Sequence, residues 1–259
     1  MNTRRLVFFV LLACGYSWTL WLLAIGSKQG WLPFHFSPGP LGSFGPAIAA
    51  LVVAGSREGR WQLLRSLFLY QGLSRWIAFA LLVPVGIILV AIAIHAALGG
   101  HVPRPDTGKL WLTPVVALGI LVLGGPLGEE PGWRGVMVPE LAKRFTLLPV
   151  SLTVALLWFA WHLPLFWMEG AAQAGSSIAL FGATLAALSI VFAWLYLKTA
   201  PSLLPVLLLH TSVNVTSFGI SYVLPGVDDA RTYSLAYLGT AWALAGAVCI
   251  ASYRKGSKG

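Results

Sequence analysis

LVFFVLLACGYSWTLWLLAI, residues 6–25, is an apolar run of membrane-spanning length. A helix rises 1.5 Å per residue and the hydrocarbon core of a bilayer is about 30 Å thick, so about 20 apolar residues cross it. The preceding Met-Asn-Thr-Arg-Arg and the triplet Leu12-Ala13-Cys14 resemble a signal peptide with a lipoprotein cleavage site. The run is longer than the core of a cleaved signal, so it is read as the first transmembrane helix.

Seven further runs follow, at 41–55, 76–98, 110–128, 147–167, 177–197, 201–224 and 233–253. The expected fold class is therefore an all-α integral membrane protein, a polytopic bundle of about eight transmembrane helices forming one domain over residues 1–259. The second run is short and has to borrow from the Ser37-Pro38-Gly39-Pro40 approach or thin the bilayer locally. Composition agrees: 58% of the 259 residues are hydrophobic, 10% are charged, and the mean hydropathy is +0.81. A soluble domain cannot cover itself with so little charge.

Charge sets an orientation. Short loops rich in Lys and Arg stay in the cytoplasm. With the amino terminus inside, Arg4, Arg5, Arg57, Arg60, Arg65, Arg75, Arg134, Lys143, Arg144, Lys198, Arg254, Lys255 and Lys258 are cytoplasmic; Lys28, Arg104, Lys109 and Arg231 are outside, which completes the 17 basic residues. Both termini are then expected in the cytoplasm. The formal net charge of +9 does not signal nucleic acid, because the basic residues sit between apolar runs rather than on one polar face. The segment 56–75 reads as interfacial and amphipathic, with Trp61, Leu63, Leu64, Leu67 and Phe68 among arginines. Cys14 and Cys249 lie far apart in apolar stretches, which supports neither a disulfide framework nor a metal-binding pair.

Polar residues within such runs are costly, by about 2.5–3.5 kcal/mol for a central charge on insertion scales, so they usually face a partner or a cavity. Of eight acidic residues, Glu58, Asp106, Glu169, Asp228 and Asp229 fall in expected loops. Glu129 and Glu130 stand together at the inner end of the fourth run, in Gly128-Glu129-Glu130-Pro131-Gly132-Trp133-Arg134-Gly135, and Glu140 follows. Glu130 and Arg134 are four apart and able to pair; Glu129 is rotated about 100° away and left for chemistry. Pro131 opens the option that the helix breaks and restarts there.

Two further runs carry polar groups at the same spacing. Trp158 lies one turn before His162, and His210 one turn before Asn214. His35, His95 and His101 fall at or beyond run ends, and Trp18, Trp21, Trp111 and Trp167 suit an interfacial aromatic belt. Each motif alone is open to a structural reading, such as a boundary ion pair or an interhelical hydrogen bond. Together, three runs supply a base, histidines and an amide donor, the parts of a hydrolytic site.

The order E-E-x-x-x-R, aromatic-x-x-x-H, H-x-x-x-N over about 125–218 resembles the CPBP (Abi) family of intramembrane proteases, which includes the type II CAAX prenyl endopeptidases. The flanking residues are similar to those of bacterial members. The second motif usually begins with phenylalanine; Trp158 stands there instead. The resemblance implies a catalytic core at about 110–224, an endopeptidase acting on membrane-associated peptides or proteins, and residence in a plasma membrane. It makes Glu129 the base that activates water, His162 its binding partner, and His210 and Asn214 the donors to the oxyanion, with Glu130, Arg134 and Trp158 in support. No cofactor is needed in that mechanism; in an alternative, Glu129, His162 and His210 ligate a divalent metal such as zinc. Other readings are a transporter using the same residues, or a non-catalytic scaffold or bacteriocin-immunity factor. One expectation sits badly with the rest: counted from the inner ends, His210 and His162 lie deep while Glu129 lies near the surface.

Overall fold

The computed structural model describes residues 3–108, 110–123, 125–227 and 230–256. Lys109, Asp228, Asp229 and Lys258, assigned above to loops or a terminus, lie outside them. The described chain is all-helical. Its elements are α1 (Thr3–Lys28), α2 (Gly45–Ala54), α3 (Arg57–Ser66), α4 (Ser74–Ala97), α5 (Thr113–Leu123), α6 (Pro126–Gly132), α7 (Val138–Leu141), α8 (Leu147–His162), α9 (Ile178–Thr199), α10 (Leu204–Val223) and α11 (Arg231–Gly256).

Six helices are long and apolar enough to cross a bilayer: α1, α4, α8 with its 3-10 extension to Trp167, α9, α10 and α11 as far as Tyr253. A bent pair, Leu110–Leu123 with Pro126–Leu141, makes a seventh if counted as one span. Of the expected eight, the run at 41–55 is the one that falls short of full length. Residues 41–55 do not form a full-length span: a 3-10 turn, Gly39–Phe44, leads into the ten-residue α2. Pro38, Pro40 and Pro46 break the approach, since each lacks an N–H for the helix ladder.

α2 is instead clasped by its neighbours. Gly45 lies so close to Ser17 and the carbonyl of Ala13 on α1 that a Cβ would not fit, and Gly132 of α6 is equally tight against Pro46. Small residues that let backbones approach are how helices associate where the hydrophobic effect is absent. Arg5 donates to the carbonyl of Val53, which returns the chain to the end of the molecule where α1 began. At that same end Leu203 N–H donates to Ser66 O at 2.8 Å, and the Ser202 hydroxyl to Leu69 O at 2.6 Å. Lys28 pairs with Glu169 at 3.4 Å beyond the far ends of α1 and α8. His95 meets Thr232 at 2.5 Å where α4 ends and α11 starts, and its Nε2 donates to His101 O at 3.2 Å.

The fourth run breaks earlier than Pro131. The helix stops after α5, Gly125 takes φ +115°, and α6 starts with Pro126 in its first turn; Pro131 lies inside α6. The positive φ suits glycine alone. Past the break, α6 continues into a π-helical turn, Trp133–Met137, a form frequent at functional sites. The segment bends by 44°, which turns α6 inward against α2 and α10. α8 and α9 pack together, α11 covers α4 and α9, and α10 fills the space between α4 and α9.

Two tryptophans depart from the aromatic-belt reading. Trp18 donates from Nε1 to Trp161 O at 3.0 Å, and Trp21 is buried with its ring 4.7 Å from that of Trp161. Trp111 and Trp167 are exposed. The amphipathic segment materialises as α3, with Ser56 accepting from Gly59 N–H as its cap, and Trp61 and Phe68 exposed. Glu58 belongs to the first turn of α3 rather than to a loop. Outward-facing Leu11, Leu82, Leu89, Leu156 and Ile250 are what an apolar solvent permits.

Candidate active site

The site lies where α6, α8, α9 and α10 meet. Glu129, Glu130, Arg134, Trp158, His162 and His210 are all buried there. Beyond the bend after α5, the α6 carboxylates meet Trp158 of α8 and His210 of α10.

Glu130 is the centre of a buried polar group. Arg134 Nη1 donates to its Oε1 at 3.0 Å, across the expected four-residue spacing. His210 Nδ1 lies 2.6 Å from the same oxygen. Arg134 gains a second kind of support: its guanidinium carbon stands 4.2 Å from the Trp158 ring centroid and 4.5 Å from that of Phe192. A cation between two aromatic faces is stabilised electrostatically where water cannot reach it. Phe192 of α9 also sets its ring 5.6 Å from that of His210, edge on. Nothing in the sequence marks Phe192, an apolar residue in an apolar helix.

Glu129 faces the other way, as its rotation by one residue requires. Its Oε2 accepts from Trp158 Nε1 at 2.5 Å, while its Oε1 is set against Gly125, where a Cβ would collide with it. Trp158 thus does more than pack beside an imidazole. It does that too, with ring centroids 5.7 Å from His162 and 5.6 Å from His210. Its backbone carbonyl lies 2.8 Å from His162 Nδ1. A carbonyl only accepts, so Nδ1 carries the proton and Nε2 is the acceptor nitrogen of the neutral ring. The rings of Trp161, at 4.8 Å, and Phe181, at 5.2 Å, hold that imidazole edge on.

Asn214 is half-buried one turn after His210 on α10. Among the described residues, no three His, Cys, Asp or Glu side chains gather into a set able to hold a metal ion, so Glu129, His162 and His210 do not form one. Glu129 and His210 have instead committed Oε2 and Nδ1 to Trp158 and Glu130.

Residues 111–216 match the family model described as type II CAAX prenyl endopeptidase Rce1-like. That stretch contains every residue of the site. The chain is also similar to CAAX prenyl protease 2 of Methanococcus maripaludis, 27% identical over 143 residues. The match covers 52% of this chain and 52% of the relative, so the chain spans about half the length of the curated relative it matches. The relative is archaeal.

Proposed function

From the premise that this chain is a CPBP-family membrane protein over residues 111–216, we propose that it is an endopeptidase hydrolysing peptide bonds of membrane-associated substrates, with Glu129 as general base. The observation that carries the reading is the pairing of two adjacent buried carboxylates with different partners: Glu130 with Arg134 and His210, Glu129 with Trp158. One is tied into an ionic group. The other holds a single neutral donor and keeps a carboxylate oxygen for proton transfer.

In this mechanism a water bound between Glu129 and His162 Nε2 gives its proton to Glu129 as its oxygen attacks the scissile carbonyl. The carbonyl electrons move onto oxygen, and the tetrahedral oxyanion is met by donors from His210 and Asn214, one turn apart on α10. Preorganised donors in a site closed to water stabilise such charge strongly. Collapse re-forms the carbonyl and breaks the C–N bond, and Glu129 returns the proton to the leaving amine. Glu130 Oε1 accepts from His210 Nδ1–H, so a donor to the oxyanion at the far nitrogen requires protons on both ring nitrogens. The route needs no metal.

The substrate class named in the relative, a prenylated CAAX peptide, is the first to try. A fluorogenic peptide of that type is to be presented to the protein in proteoliposomes. Glu129→Gln is expected to reduce kcat at least a hundredfold, within the range for losing a general base. Full activity in that variant would remove Glu129 from the role.

A further inference from the structure

We propose that Trp158 is a positioning residue for the reacting carboxylate: its indole N–H fixes Glu129 through Oε2 and thereby makes Oε1 the oxygen that takes the proton. The proposal rests on the proteolytic reading above and deepens it.

Three contacts converge on this one residue. The indole N–H donates to Glu129 Oε2 at 2.5 Å. The Trp158 carbonyl holds His162 Nδ1 at 2.8 Å, so the two groups that are to share a water are both referred to one residue of α8. The indole ring also covers Arg134 at 4.2 Å, and so ties the Glu130 group to the same plane. On its other side Oε1 occupies the room left by the missing side chain of Gly125, where an added Cβ would collide with it. A carboxylate pinned at one oxygen has lost χ3 freedom, which is the restriction that proton transfer at a defined atom requires.

A phenyl ring at position 158 would offer no N–H. It would still pack on the guanidinium and leave the backbone contact to His162 in place. What tryptophan adds at position 158 is the donor alone. Its effect falls on the geometry of Glu129 and not on binding of the substrate, so it belongs in kcat.

The test uses the full chain in proteoliposomes with the fluorogenic prenylated peptide. Trp158 is replaced by β-(3-benzothienyl)alanine, which keeps the bicyclic shape and exchanges N–H for sulfur; Trp158→Phe is made alongside. The expected result is a fall in kcat of about tenfold in the benzothienyl protein, with KM unchanged, consistent with a lost hydrogen bond to a charged group. Independently, the indole 15N–H resonance of Trp158, assigned by its loss in Trp158→Phe, is expected far downfield in the wild type and shifted upfield in Glu129→Gln. An unchanged kcat in the benzothienyl protein, or a Trp158 resonance indifferent to Glu129→Gln, overturns the proposal. If the wild type cleaves nothing, it is the proteolytic reading that falls, and the resonance still decides the contact.

Discussion

Glu130 Oε1 receives Arg134 and meets His210, all three side chains being buried. Removing Glu130 leaves the buried Arg134 charge unpaired, which is where buried ion pairs show their cost. Glu130→Gln is expected to destabilise the protein by about 3 kcal/mol in detergent-solubilised thermal unfolding. Glu130→Met with Arg134→Met should recover much of that stability, because neither charge is then left alone, yet should stay inactive because His210 has lost its acid partner. Arg134→Lys is not a mild change either: the ammonium cannot spread across both the Trp158 and Phe192 rings as the planar guanidinium does, and a loss of about 1–2 kcal/mol is expected. The pairing of Glu130 with Arg134 was legible from their spacing. The Trp158 donor was not, because an aromatic residue one turn from a histidine announces packing, and the carboxylate it serves is on another helix.

At the scale of elements, α6 carries the reacting groups and α2 fixes where α6 sits. Gly132→Ala would drive a Cβ against the backbone and ring of Pro46, with contacts of 2.6–2.8 Å, so α6 must move off α2 and carry Glu129 with it. A drop of more than tenfold in kcat is expected, with about 1–3 kcal/mol of destabilisation from overpacking. Gly119→Ala on α5 is the matched control, since nothing lies within 4 Å of the added methyl; activity should be unchanged and stability equal or higher by about 0.5–1 kcal/mol. Hydropathy located the runs but not their breaks. It counted 41–55 and 110–128 as spans because it averages over windows, whereas prolines at 38, 40 and 46 and the φ of Gly125 act at single bonds.

For the whole molecule, six or seven full spans leave the fate of the termini to the short helix. Since α2 brings Val53 back to Arg5, α1 and α2 together return the chain to its starting side, and α3 and the start of α10 meet there. We propose on that ground that both ends of the chain share a side, the cytoplasmic one by the positive-inside rule. Alkaline phosphatase fused after residue 259 should be inactive, and fused in the turn after Lys28 it should be active. Activity at the carboxyl-terminal fusion would show an odd number of crossings.

Membrane residence and helical class follow from the sequence alone, because the transfer free energy of apolar residues is additive along the chain and insensitive to which helix packs on which. The motif residues were also visible there, since polar groups in apolar runs stand out wherever they end up. Their partnerships were decided by tertiary structure. Whether a carboxylate meets an arginine, a histidine or an indole depends on the bend at Gly125 and on glycine contacts that bring α6 against α2 and α10, and those are properties of how helices approach, which no single run contains.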